Sequence, residues 1–158
     1  MIRKISCIMA IMMVIAGLSG CSSKPASENK TADLGVSADN QLLAYFKTQH
    51  PDREPVKCAY DDITNDGGKD LIVIFDNEKG KKQMCAVIAK ENEKHQLTEP
   101  IPAPAENQKI QFKDIDEKDE LEFIVSGSKN GSVGYAIYRI VDNQIINLFG
   151  EGMEDCCD

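Results

Sequence analysis

The chain has 158 residues, room for one domain with a modest core, and its 42% apolar content is that of an ordinary globular protein. It lacks tryptophan, has only 6% aromatic residues and carries a formal charge of -8. That composition excludes a stacking platform for nucleic acid or sugars, and its sign repels phosphate backbones, so no nucleic-acid partner is expected.

Residues 1–20 are organised as a signal peptide. Arg3 and Lys4 form a basic start, and Ile5 to Leu18 form an apolar run too short to persist as a comfortable membrane span. The run ends in Leu18-Ser19-Gly20-Cys21, which resembles the lipobox of bacterial lipoproteins. The resemblance implies diacylglyceryl transfer to the Cys21 thiol, cleavage before it and acylation of the new amino group. Two or three acyl chains on one residue anchor stably where one would be marginal. The expected location is therefore extracytoplasmic, held to the cell membrane by an N-terminal lipid. Loss of Arg3 and Lys4 leaves 16 basic against 26 acidic residues, a mature charge of about -10. Residues 21–37, from lipidated Cys21, are small, polar and aperiodic, and read as a flexible linker.

Residues 38–150 carry the folded domain, expected to be mainly β. One short helix is predicted from Ala38 to Gln49, capped by Ser37, with Leu42, Leu43 and Phe46 on its apolar face and Pro51 stopping it. Beyond Pro55 come short strand-like runs: Val56 to Tyr60, Leu71 to Phe75, Gln83 to Ala89, Ile110 to Phe112, Leu121 to Val125, Val133 to Val141 and Gln144 to Phe149. Between them lie Asp-Gly-Gly at 66–68, Asn77 to Gly80, Asn130-Gly131 and Asp142-Asn143, the chemistry of hairpin turns, so the strands form an antiparallel meander.

The meander repeats at about 50 residues. Asp62-Ile63-Thr64 and the run from Asp70 align with Asp114-Ile115-Asp116 and the run from Glu120, and Cys85-Ala86-Val87-Ile88 aligns with Tyr135-Ala136-Ile137-Tyr138. Each unit resembles a propeller blade. Two blades cannot close a ring, so they are expected to pack on each other with the helix covering an edge or face.

Asp62-Ile63-Thr64-Asn65-Asp66-Gly67-Gly68-Lys69-Asp70 sets oxygen side chains at alternate positions around a glycine turn, a spacing that resembles the calcium loops of FG-GAP repeats. Asp62, Thr64, Asp66 and Asp70 are the candidate Ca2+ ligands; the competing reading is a turn whose aspartates cap their own backbone. The second copy, Asp114 to Asp119, lacks the glycine and is expected to bind nothing. Cys58 and Cys85 fall in strand-like runs of an oxidising compartment, where they are either a disulfide or two buried thiols. His50 and His95 stand near no nucleophile, and no G-x-S-x-G, H-E-x-x-H or Cys-x-x-Cys occurs, so no pattern specifies an enzyme and no cofactor is required.

Residues 151–158, Glu151-Gly152-Met153-Glu154-Asp155-Cys156-Cys157-Asp158, read as a flexible tail bearing an exposed pair of adjacent thiols. Thiolates are soft ligands for thiophilic metals, and the acids around Cys156 and Cys157 attract cations. A redox carrier is the alternative, because adjacent cysteines close only into a strained, easily reduced ring. A third reading is a calcium-stabilised interaction module whose tail is inert.

The lipobox, the runs Asp62 to Phe75 and Phe123 to Gly131, and the ending Phe149 to Cys157 together resemble the Cys-Cys-COOH (seleno)protein family of the SaoC type, lipoproteins encoded with selenocysteine-assisted organometal detoxification systems. The resemblance implies that Cys156 and Cys157 capture or relay mercury or organomercury as ligand, beside a membrane transporter or an organomercurial lyase-like partner, as a metal-binding accessory protein. The chain departs from the family in having Asp158 after the pair and no selenocysteine.

Overall fold

The computed structural model describes residues 34–118 and 120–157. The signal peptide of residues 1–20, Cys21 and the linker as far as residue 33 lie outside them, as does Asp158. No helix among the described residues is long and apolar enough to cross a membrane.

The fold is mainly β, in two antiparallel sheets. The elements run α1 (Gln41–Gln49), β1 (Pro55–Asp61), β2 (Asp70–Asp76), β3 (Lys82–Ile88), β4 (Gln96–Leu97), β5 (Ile101–Pro102), β6 (Glu106–Lys113), β7 (Glu122–Lys129), β8 (Ser132–Val141), β9 (Gln144–Glu151) and α2 (Met153–Cys157). The first sheet is the meander β1-β2-β3, with β4 and β5 sharing the outer edge of β3; the second is the meander β6-β7-β8-β9. Between β4 and β5, Thr98 stitches the interrupted edge, its N–H donating to Ala86 O and its hydroxyl accepting from Ala86 N–H. The two blade-like units expected from the repeat are therefore present, the fourth strand of the first being broken before Pro100.

The hairpins follow from local chemistry. Asn130 and Gly131 both have positive φ, as do Asp142 and Asn143. Two consecutive left-handed residues make the turn whose twist suits a two-residue hairpin. The helix begins later than predicted, at Gln41, because Asn40 rather than Ser37 caps it by accepting the Leu43 N–H. Its buried residues are Leu42, Leu43 and Phe46, as the apolar spacing required.

The layers are α1, the first sheet, then the second sheet. Leu71, Val73 and Phe75 of β2 pack with Cys58, Cys85, Val87 and the apolar face of α1. Ile72 and Ile74 point the other way and meet Phe123, Val125, Ala136, Tyr138 and Ile140 of the second sheet. Burial on both faces explains why β2 reads as an unbroken apolar run instead of an alternation. Residues 34–37, assigned to the linker from sequence, belong to the fold: Leu34 O accepts the Cys58 N–H, and Leu34 and Val36 pack beside α1. Gly35 makes this approach feasible, with φ of +84° and a backbone so close that a Cβ would stand 2.4 Å from Cys58 O.

Candidate functional site

The acidic loop after β1 spends its oxygens on itself. Asp62 accepts the N–H groups of Asp66 and Gly67 at 3.1 and 3.0 Å, and Asp66 accepts the Gly68 N–H at 2.9 Å. That backbone bond, followed by Lys90, holds the Asp66 carboxyl below its usual range. Asp70 is fully buried and accepts Ile63 N–H, Thr64 N–H and the Thr64 hydroxyl on one oxygen, and Ala89 N–H on the other. Burial pushes its carboxyl up, and those bonds pull it partly back. The carboxylates of Asp62, Asp66 and Asp70 thus accept backbone N–H groups, as in a self-capped turn, and the Thr64 hydroxyl donates to Asp70.

Among the described residues, three acids do converge, and they lie in the second copy of the loop: Asp114, Asp116 and Glu122 each place an oxygen within 4.8 Å of the others. Cations of the chain already stand there. Arg139 donates from Nε and Nη2 to buried Glu122 and from Nη2 to Asp116 at 2.6 Å, while Lys118 lies 3.0 Å from Asp116. The Asp116 carboxyl is held below its usual range, chiefly by the Arg139 hydrogen bond. Sequence alignment had matched Asp70 with Glu120, and the structure moves the match to Glu122. The signal was present in the spacing, since Glu122 follows Ile115 as Asp70 follows Ile63.

Cys58 and Cys85 are not joined. The register pairs Cys58 with Val73 and Val73 with Cys85, so β2 runs between them. Two strand spacings separate their Cα atoms by roughly 9–10 Å, beyond the reach of about 7 Å that a disulfide allows. Both thiols are buried in the apolar layer under α1, and burial pushes each up to about 12. Thiols so held are inert as nucleophiles and as ligands. Of the two readings open from the sequence, the structure has two buried thiols and not the possible disulfide.

Of the two C-terminal thiols, that of Cys157 has a different setting, and the Cys156 side chain lies outside the described ones. The stretch expected as a flexible tail is strand as far as Glu151 and then the helix α2. Gly152 turns the chain with φ of +64°, at a place where a Cβ would stand 2.8 Å from Val133 O. Met153 then packs against the inter-sheet core, an anchor the sequence reading missed. Cys157 is half-buried and forms no disulfide.

Beside Cys157 opens a pocket of about 390 Å³. Ile101 and Pro102 line it from the edge of the first sheet, Tyr138, Ile145 and Asn147 from the second, and Met153, Glu154 and Cys157 from α2. It is the mouth of the gap between the sheets, with α2 as one wall. Neither its walls nor its position could be found by periodicity, because they come from four separate elements. No family model, no curated protein and no solved structure matches the chain.

Proposed function

We propose that the protein is a lipid-anchored extracytoplasmic scavenger in which Cys156 and Cys157 capture a thiophilic metal, mercuric ion or an organomercury species, and pass it to a membrane transporter or lyase-like partner. The observation that carries the reading is the contrast among the thiols. Cys58 and Cys85 are sealed in the core with their ionisation suppressed, whereas Cys157 lines a pocket that opens to solvent. Neighbouring Glu154 and Asp155 add negative charge that draws cations to the pair. Capture proceeds by exchange of thiolate for the ligands the metal arrives with, the displaced protons going to solvent.

The test is titration of the full-length chain, carrying Cys7→Ser and Cys21→Ser, with mercuric chloride against a competing small thiol. The expected result is tight binding that Cys156→Ser with Cys157→Ser abolishes. Binding that survives the double substitution removes the proposal.

A further inference from the structure

The outer face of the second sheet is apolar where it meets solvent. Ala136, Tyr138 and Ile140 of β8 and Ile145 of β9 point into the inter-sheet core, so their chain neighbours point away from it. On that outer side Val133, Tyr135, Val141, Ile146 and Phe149 stay exposed, and the Tyr135 and Phe149 rings lie 5.8 Å apart. Half-buried Ile124 and Ile137 continue the patch across the sheet, since Ile124 pairs with Ile137 and Ile137 with Phe149.

The repeat shows what such a face meets. Ile124 follows Ile72 at the offset that carries Ile63 to Ile115, and their cross-strand partners are Ile137 and Ala86. In the first sheet Ile72 and Ala86 are covered by the second sheet. In the second sheet the same face has no layer over it among the described residues. Residues 1–33, which lie outside the description, are too few to build another unit of the length of 106–151. A sheet to cover this face therefore has to come from another molecule.

We propose that the outer face of the second sheet docks the same face of a second copy of this chain, about a two-fold axis that runs parallel to the strands between β7 and β8. Three cross-strand rows are complementary to themselves under that rotation. The row Lys109-Ser126-Tyr135-Glu151 brings Lys109 of each copy over Glu151 of the other. The row Gln111-Ile124-Ile137-Phe149 stacks Ile124 on Ile137. The row Lys113-Glu122-Arg139-Ile146 sets Glu122 over Arg139 and the methylene stem of Lys113 over Ile146. Two chains of formal charge -8 repel each other, but basic residues outnumber acidic ones in these rows, so this face is where the approach is least opposed. The size is sufficient. Each of the four strands has at least 8 residues, and ordinary strand spacings give a plan area of about 500 Å² per copy, about 1,000 Å² for the pair, where specific interfaces begin.

The experiment uses the full-length chain with Cys7→Ser and Cys21→Ser, kept reduced, and measures its mass by sedimentation across a concentration series. Copies of ordinary and heavy-nitrogen content are also mixed and treated with a carbodiimide, which joins a lysine directly to a carboxylate in contact with it. A dimer is expected by about 100 μM, with a mixed-isotope link between Lys109 and Glu151. Phe149→Glu, at an exposed position, is expected to weaken association at least about tenfold without lowering the melting temperature. Lys109→Glu is expected to weaken it severalfold, and Lys109→Glu combined with Glu151→Lys to restore it. A chain that stays monomeric at that concentration overturns the proposal. So does self-association that neither Phe149→Glu nor Lys109→Glu weakens, or a dimer that yields no mixed-isotope link between Lys109 and Glu151. Phe149-dependent binding of the monomer to phosphatidylcholine vesicles would assign the face to lipid and overturn the proposal as well.

Discussion

Asp70 and Glu122 hold the same post in successive sheets. Each is a buried carboxylate at the first position of its strand, and each accepts the main-chain N–H of an isoleucine seven residues earlier, Ile63 or Ile115. The blades therefore repeat with an offset of 52 residues here, and the acid clamps the loop that enters the second strand of each. The stacking repeats too. Leu71 and Val73 face α1, while their counterparts Phe123 and Val125 face the first sheet, so α1 stands where a preceding blade would stand.

The two clamps differ in how their charge is balanced, and the difference is measurable. Glu122 is paired with Arg139, whose side chain is 14% exposed. Arg139→Ala leaves an uncompensated buried carboxylate and is expected to cost about 3–5 kcal/mol of stability. Replacing both residues by glutamine is expected to cost less than the single change. Urea denaturation of the three proteins checks the order.

Among the described residues no cation pairs with Asp70, and hydrogen bonds satisfy it. Asp70→Ala strands the donors of Ile63, Thr64 and Ala89 and is expected to cost about 3 kcal/mol. Asp70→Asn, which keeps an acceptor, is expected to recover part of that loss in the same measurement.

The core thiols give the fold an alkaline limit. Their ordinary value of 9.0 is raised to about 12 in the folded chain by burial, so the unfolded chain loses its thiol protons first. Their contribution is intact below pH 9 and is lost as pH climbs from 9 toward 12. Alkaline denaturation of Cys58→Ala with Cys85→Ala is expected to fall less steeply across that window than the unsubstituted chain. An aromatic disulfide reagent at pH 8 is expected to label Cys157 in the native protein, and Cys58 and Cys85 only after denaturant is added.

Gly127 of β7 lies tightly against Pro104, in the connection between β5 and β6. A Cβ there would stand 2.4 Å from Pro104 Cβ and 2.6 Å from Glu106 O. Gly127→Ala is expected to destabilise by about 1–3 kcal/mol through overpacking, read as a lowered melting temperature.

Met153 is the side chain that ties α2 to the core. Met153→Ala is expected to raise the labelling rate of Cys157 severalfold while lowering global stability by only about 1–2 kcal/mol, since the residue is partly buried. Labelling and melting on the same sample separate the local release from a general loss of fold.

Much of the architecture was legible because it rests on local rules. Alternating and continuous apolar runs located seven strands, Asn130-Gly131 and Asp142-Asn143 announced their turns, and Leu42, Leu43 and Phe46 announced the buried side of α1. The site was less legible. The alternate oxygens of Asp62, Thr64, Asp66 and Asp70 suit an ion and a self-capped turn equally until one sees which donors they face. Strand-like runs set Cys58 and Cys85 apart from Cys157, but nothing in them told a disulfide from two buried thiols.

By itself the sequence determined that this is a two-repeat β chain with a lipobox-like start and two adjacent thiols near its end, since hydrophobic period, turn residues and short motifs act over a few neighbours. Only the tertiary structure decided that β2 separates Cys58 from Cys85, that Glu122 and not Glu120 inherits the role of Asp70, and that the tail folds back as α2 beside an apolar pocket. Those outcomes depend on strand register and on which faces stack, and contacts made between distant segments leave no periodic trace in any one of them.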